Sequence, residues 1–180
     1  MPGILPPARR PCPLLLLGES EDLTVIRSHL RGHYRSLGAR SRRLRFMSEL
    51  STEALDRLAD RAEPELLLEL VEDGSVRAVL EAYATSPGHV EVAISVEDPY
   101  QGQGLGRALF EEGLVVLAER GFKTADLVCL RENTALLRLV SQAGARMRTE
   151  DGEVYSEIEL HRALDQVRTP EPQVLTPAVQ

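Results

Sequence analysis

The hydrophobic positions along the chain alternate between a helical and a strand-like period, and they divide it into about ten elements. Strand-like runs cover residues 14–17, 66–85, 90–96, 123–130 and 145–160, and helix-like runs cover about 19–34, 51–60, 104–120 and 133–143. Asp-Gly at 73–74 and at 151–152 is typical of hairpin turns. The order of these elements predicts an α+β fold with a mixed, mostly antiparallel central sheet flanked by helices.

The two ends of the chain lack this periodicity. Residues 1–13 are rich in proline, and residues 165–180 combine prolines with no apolar period. We therefore expect an irregular lead-in over 1–13, a folded domain over 14–164 and a flexible tail over 165–180.

Three glycines at alternate positions precede the helix predicted at 104–120. The stretch "YQGQGLGRAL" contains Gly102, Gly104 and Gly106 directly after a strand. The first amide groups of a helix have no partner within the helix, and the helix dipole makes that end positive, so a glycine-rich entry can hold a phosphate. The spacing excludes a Walker loop, because Arg107-Ala108 stands where Lys-Ser/Thr is needed, and it departs from the dinucleotide fingerprint. A tight turn with glycines only for packing is the alternative.

Composition limits the possible partners. The 180 residues carry a net charge of −7, which argues against nucleic acid. The longest early apolar run, "PLLLLG", is too short for a membrane span. The two cysteines and four histidines show no metal-ligand spacing, so we expect no metal. We expect a cytoplasmic protein, either a monomer or a homodimer.

The glycine-rich loop resembles the signature of the GNAT acetyltransferase superfamily. Gln101-x-x-Gly104-x-Gly106 fits its Q/R-x-x-G-x-G/A motif, and "ENTALLRLVSQAGA" is similar to its second cofactor segment. The likeness covers roughly 14–160. The stretch "RSLGARSRRLRFMSELSTEALDRLAD" is similar to the bacterial protein lysine acetyltransferase (Pat-type) branch.

The resemblance implies transfer of an acetyl group from acetyl-CoA to a primary amine, with a protein lysine as the expected acceptor. A lysine amine is mostly protonated at neutral pH, so a base must remove a proton, and a partly buried carboxylate at the sheet centre suits this role. Glu91 occupies the matching position, and strand alternation places it on one face with Ala93 and Ser95. A solvated carboxylate is the alternative for Glu91.

The same resemblance implies a set of cofactor-binding residues. The pantetheine strand, the pyrophosphate loop and the second strand–helix junction correspond to Ile94, Ser95, Val96, Gln101, Gly102, Gln103, Gly104, Leu105, Gly106, Arg107 and Asn133. Val96 N–H is the expected donor to the thioester oxygen, and Asn133 is also a plausible helix cap.

Some features leave alternatives open. Many members of the superfamily have a tyrosine acid seven residues after the asparagine; here Val140 stands there, and Tyr155, Ser141 and Cys129 are weak substitutes. The arginine-rich segment 27–45 is either a solvated basic face or a contact for an acidic protein or for the CoA 3′-phosphate. A small-amine acetyltransferase and a non-catalytic acyl-CoA-binding module are the alternative functions.

Overall fold

The computed structural model describes residues 14–17, 22–72 and 74–162. Its strands are β1 (Leu14–Leu17), β2 (Leu66–Glu72), β3 (Ser75–Ser86), β4 (His89–Val96), β5 (Thr124–Leu130), β6 (Arg146–Glu150) and β7 (Glu153–Glu159). Its α-helices are α1 (Leu23–Ser36), α2 (Ala39–Phe46), α3 (Thr52–Asp60), α4 (Leu105–Glu119) and α5 (Thr134–Gln142). The expected lead-in over 1–13 and tail over 165–180 lie outside the described residues.

The seven strands form one sheet in the order β1-β2-β3-β4-β5-β7-β6. In the described part of the chain, β4 and β5 are the only neighbouring strands that run parallel, and their pairing covers three positions, ending at Glu91 and Asp126. Beyond these residues the two strands separate, so a gap opens beside Val92–Val96. The predicted α+β fold with a mostly antiparallel sheet is confirmed.

Each face of the sheet has its own hydrophobic core. Helices α4 and α5 bury Phe110, Leu114, Leu117 and Val140 against one face. Helix α4 approaches the sheet closely at Gly113, where a Cβ would lie 2.6 Å from the Leu80 side chain on β3.

Helices α1 and α3 cover the β2–β3 side of the other face. Helix α1 buries Ile26, Leu30 and Tyr34, whose spacing of four residues places them on one side of the helix. This buried side packs on Leu55 of α3. The β5–β7–β6 half of this face bears mostly charged and partly exposed side chains.

The starts of helices α1 and α3 follow the local capping rule. The Asp22 carboxylate accepts a hydrogen bond from the Thr24 amide at 2.8 Å, and the Ser51 hydroxyl accepts one from the Ala54 amide at 3.3 Å. Helix α2 does not, because its N-cap is Gly38. The carboxylate of Asp98, 60 residues away, instead accepts from the Gly38 amide at 2.8 Å and from Ser41 Oγ at 3.0 Å. The start of α2 is therefore fixed by a tertiary contact to the loop after β4.

Helix α2 differs from the sequence expectation. The sequence predicts no helix over residues 39–46, and it leaves a solvated basic face as one possibility for the arginine-rich segment 27–45. The structure shows a separate helix, and the segment's arginines bond to acids of other elements. These pairs are Arg27–Glu63, Arg31–Asp60, Arg35–Asp56, Arg43–Glu132 and Arg45–Glu81. The segment is thus largely neutralised within the fold.

Within the described ranges, no helix has the length and the apolar character needed to cross a membrane.

Candidate functional site

A cleft of about 330 Å³ opens where β4 and β5 separate. It lies between α2 on one side and the start of α5 on the other, and the glycine-rich loop closes one end. Its walls are formed by Ser41, Leu44, Arg45, Ile94, Ser95, Val96, Tyr100, Gln101, Gly102, Gly104, Leu105, Gly106, Arg107, Asn133, Ala135, Leu136 and Leu139.

Ten of the eleven residues predicted to bind the cofactor line this cleft. The exception is Gln103, whose side-chain amide turns back and donates to the Pro99 carbonyl at 3.0 Å. Gln101 donates to the Val96 carbonyl and to Ser41 Oγ, both at 3.0 Å. Gln101 therefore links the end of β4 to α2 across the cleft.

The loop gains its shape from glycines with a positive φ. Gly102 has φ 72° and Gly104 has φ 86°, and no atom would contact a Cβ at either position. Gly104 is the N-cap of α4 and has no side chain to cap it, so the first amides of this 15-residue helix face the cleft without side-chain obstruction. Arg107 lies in the first turn and pairs with Glu111 at 2.6 Å.

Asn133 lies opposite this loop, at the start of α5. Its Oδ1 accepts a hydrogen bond from the Leu136 amide at 3.2 Å, so it is a helix N-cap. It also lines the cleft. The two alternatives considered for this residue from the sequence are therefore compatible.

Glu91 lies on β4, three residues before the cleft-lining segment Ile94–Val96. Pairing of β3 with β4 is regular from Ala78–Val96 to Ala84–Val90, so the predicted alternation holds and Glu91 shares a face with Ala93 and Ser95. The expectation that Glu91 is partly buried is wrong, because its side chain is exposed. It is the last β4 residue paired with β5, so it stands on the strand where the gap begins, but it is not part of the cleft wall.

Two other acidic residues considered from the sequence have structural partners. Glu97 is buried and pairs with Arg77 at 3.1 Å, and Asp98 caps α2. Neither carboxylate is free to take part in chemistry in the cleft.

The candidate acids for a departing thiolate lie away from the cleft. Val140 and Cys129 are buried in the core. Tyr155 donates to Glu153 at 3.0 Å on β7, and Ser141 is exposed near the end of α5. None of these four residues is part of the cleft wall.

Sequence reasoning missed the α2 wall and a buried polar cluster behind it. Arg45 lines the cleft and donates to Glu81 at 2.8 Å, and Glu81 is fully buried. His33 is also buried, with Nε2 2.9 Å from Ser95 Oγ in the cleft wall. Burial lowers the pKa of His33 to about 4, outweighing the opposite influence of Glu81 and Glu97, so this imidazole is neutral at pH 7.

A signal for this cluster was present in the sequence. Val79, Glu81 and Tyr83 alternate along β3 on the face that α1 covers, so Glu81 interrupts a buried row. A carboxylate in such a position needs partners that neutralise it.

A matched pair of glycine substitutions tests the role of the loop geometry. Gly104→Ala and Gly74→Ala both place a Cβ at a positive φ, 86° and 72°, with no atom in contact. Each is expected to cost about 1–2 kcal/mol of stability because L-residues avoid this conformation. Only Gly104→Ala is expected to weaken CoA binding, by about tenfold. Urea denaturation and calorimetry with CoA measure the two effects, and equal CoA affinity in both variants contradicts a role for the loop in binding.

Comparison with known proteins agrees with this architecture. The model of the acetyltransferase (GNAT) family matches residues 34–145. The GNAT domain of S. lividans PAT is 23% identical, with a TM-score of 0.64 over 81% of this chain and 89% of that one. None of the curated proteins compared with the chain matches it in sequence.

Two further solved structures share the fold. The ribosomal-protein-S18-alanine N-acetyltransferase of Escherichia coli is 22% identical, with a TM-score of 0.59 over 82% of this chain and 93% of that one. The yncA protein of Salmonella typhimurium, a putative acetyltransferase solved with acetyl-CoA, is 16% identical, with a TM-score of 0.57 over 84% and 95%. At these identities the likeness supports the fold, while the family model spans more than half of the sequence. The chain therefore belongs to the acetyltransferase (GNAT) family.

Proposed function

We propose that the protein transfers the acetyl group of acetyl-CoA to a primary amine, with a protein lysine side chain as the acceptor and Glu91 as the general base. The observation that carries this proposal is the position of Glu91 at the end of the β4–β5 pairing, beside the cleft and on an accessible face of the sheet.

The family makes the protein an acetyltransferase with acetyl-CoA as its acyl donor, as the sequence predicted. The residues around the cleft suit this donor. The first amides of α4 and the backbone at Gly102 and Gly104, which no side chain covers, can hold the diphosphate. Among the described residues, no strand pairs with the edge of β4 beyond Glu91 on the β5 side, so its amides and carbonyls can bond to pantetheine as a strand would.

The chemistry then proceeds by direct attack. The amine nitrogen forms a bond to the thioester carbon, and the excess proton on nitrogen passes to the Glu91 carboxylate. The Val96 amide is proposed to stabilise the charge on the carbonyl oxygen. The C–S bond then breaks, and solvent protonates the CoA thiolate, since the three candidate acids, Tyr155, Ser141 and Cys129, lie outside the cleft wall.

A lysine acceptor is favoured by the openness of the face that carries Glu91. Glu91 is exposed, and Asp126 beside it is partly exposed, so a side chain projecting from a polypeptide can reach the carboxylate. The sequence likeness to the Pat-type branch also supports a protein substrate, and the S. lividans PAT domain shares the fold.

The test is an acceptor panel. Purified protein and acetyl-CoA are incubated with lysine-containing peptides, with spermidine and with amino acids, and both thiol release and product mass are measured. Acetylated lysine peptide with little acetylated spermidine is the expected result. Faster acetylation of spermidine supports a small-molecule acceptor instead, and tight CoA binding without any thiol release supports a non-catalytic binding module.

A further inference from the structure

A buried carboxylate lies behind the cleft, with three hydrogen-bond donors. Glu81 on β3 is fully buried. Its Oε1 accepts from Arg45 at 2.8 Å, and its Oε2 accepts from the hydroxyls of Tyr34 and Tyr83, both at 2.6 Å. Arg45 also lies over the rings of Tyr34 and Phe46, at 5.9 Å and 4.9 Å from their centroids.

The protonation of this cluster is fixed. Burial opposes ionisation of Glu81, but Arg45 and the two hydroxyls outweigh it, so the pKa of Glu81 lies below its usual value. Burial and the charge of Glu81 raise the pKa of both tyrosines, so each keeps its proton and donates it to Glu81. A hydroxyl has one proton to donate, and each tyrosine donates it to Glu81. The oxygen of each tyrosine can therefore only accept further hydrogen bonds.

The two tyrosines differ in position. Tyr34 is 2% exposed and lies in the core between α1 and the sheet. Tyr83 is partly exposed and pairs directly across the strands with Glu91. Opposite residues of an antiparallel pair have Cβ atoms about 4.5–5.5 Å apart on one face of the sheet. Tyr83 therefore stands across the two strands from Glu91, and its hydroxyl bonds to the carboxylate that Arg45, a residue of the cleft wall, also holds; Tyr83 and Glu91 themselves lie outside that wall.

We propose that the Tyr83 hydroxyl oxygen accepts a hydrogen bond from the acceptor amine. This bond orients the amine so that the lone pair on its nitrogen faces the thioester carbon. The inference rests on the proposed function, because Glu91 must take the other proton. An attacking primary amine carries two N–H groups, and one is directed to Tyr83 while the other gives its proton to Glu91. The fixed Glu81–Tyr83 bond makes this acceptor preorganised, because the hydroxyl cannot turn its own proton toward the amine.

The chain offers a matched control for this role. Tyr83→Phe and Tyr34→Phe each remove one 2.6 Å hydrogen bond to the same oxygen of Glu81. A structural role predicts the same behaviour from both variants. An amine-orienting role predicts that only Tyr83→Phe loses about tenfold in kcat/KM for a lysine peptide, while CoA affinity stays within about twofold of wild type.

Binding of a bisubstrate analogue separates this inference from the proposed function. In the probe, the Nε atom of acetyl-lysine amide is joined to the sulfur of CoA through an acetyl bridge, so one N–H remains for Tyr83. Calorimetry is expected to show tighter binding of the probe than of CoA to wild type and to Tyr34→Phe. In Tyr83→Phe this gain is expected to fall by about tenfold.

Each outcome has one meaning. Lysine acetylation by wild type and Tyr83→Phe at equal rates overturns the inference and leaves the function intact. Equal losses in Tyr34→Phe and Tyr83→Phe also overturn it, because they indicate support of Glu81 alone. If wild type acetylates no amine, the proposed function fails, and the inference then stands or falls on whether only Tyr83→Phe loses the gain with the probe.

Discussion

Replacing Glu91 with glutamine is expected to lower kcat for a lysine peptide by at least about 100-fold, because general-base catalysis typically contributes 10²–10⁴. The amide has nearly the same shape as the carboxylate but cannot accept the amine proton. Glu91 is exposed, and its side chain forms no hydrogen bond or ion pair with the described residues, so the substitution is expected to leave folding intact. Steady-state kinetics at saturating acetyl-CoA measures the effect.

Glu157→Gln provides the control for this substitution. Glu157 pairs with Asp126, which pairs with Glu91, so it stands two strands away on the same face. The distance is about 10 Å at normal strand spacing, and its removal is expected to change kcat less than threefold, about 0.6 kcal/mol. CoA affinity should be the same in both variants. Retention of more than a tenth of wild-type kcat by Glu91→Gln rules out Glu91 as the essential base.

Replacing Glu81 with glutamine is expected to cost about 3–5 kcal/mol of unfolding free energy, because it leaves the largely buried Arg45 without its counter-charge. Arg45 is only 15% exposed at its side chain, so water cannot compensate. Equilibrium denaturation by urea measures the loss. Glu132→Gln breaks the exposed pair with Arg43 and serves as the control, with an expected cost below about 1 kcal/mol.

The Glu81–Arg45 pair also predicts how the free energy of unfolding depends on pH. The pKa of Glu81 is lower in the folded chain than in the unfolded chain. As the pH falls, Glu81 therefore binds its proton at a higher pH in the unfolded chain than in the folded chain. The stabilisation of the fold by ionised Glu81 is complete above the unfolded pKa, about 4.3. It is lost as the pH falls from there through the folded value. Glu81→Gln should remove part of this acid sensitivity, and an unchanged acid profile contradicts the ionised state assigned to Glu81.

The elements with strong periodicity could be predicted from the sequence, and those set by distant contacts could not. The glycine-rich loop, β4 and α5 carry their signals locally, as in the cap at Asn133. Helix α2 does not, because four of its eight residues are arginine and its N-terminus is capped by Asp98 from beyond β4. Its position depends on partners that no window of sequence contains.

The same distinction applies to the candidate site. The glycine-rich loop follows from a motif, whereas the burial of Glu81 and the exposure of Glu91 depend on which half of the sheet the helices cover. Both residues lie on one face, at alternating positions of neighbouring strands, so alternation alone cannot distinguish them. The difference arises because α1 and α2 lie over Glu81, and Arg45 reaches it from there.

Because the parallel contact between β4 and β5 is short, bound substrate is expected to stabilise the fold. Three paired positions join the two halves of the sheet directly, and a pantetheine chain in the gap would add bonds to this seam. A ligand that binds only the folded state stabilises it by about 2.7 kcal/mol at one hundred times its dissociation constant. The melting temperature of the protein would then follow the supply of acetyl-CoA, so metabolic state would influence how long each molecule survives in the cell.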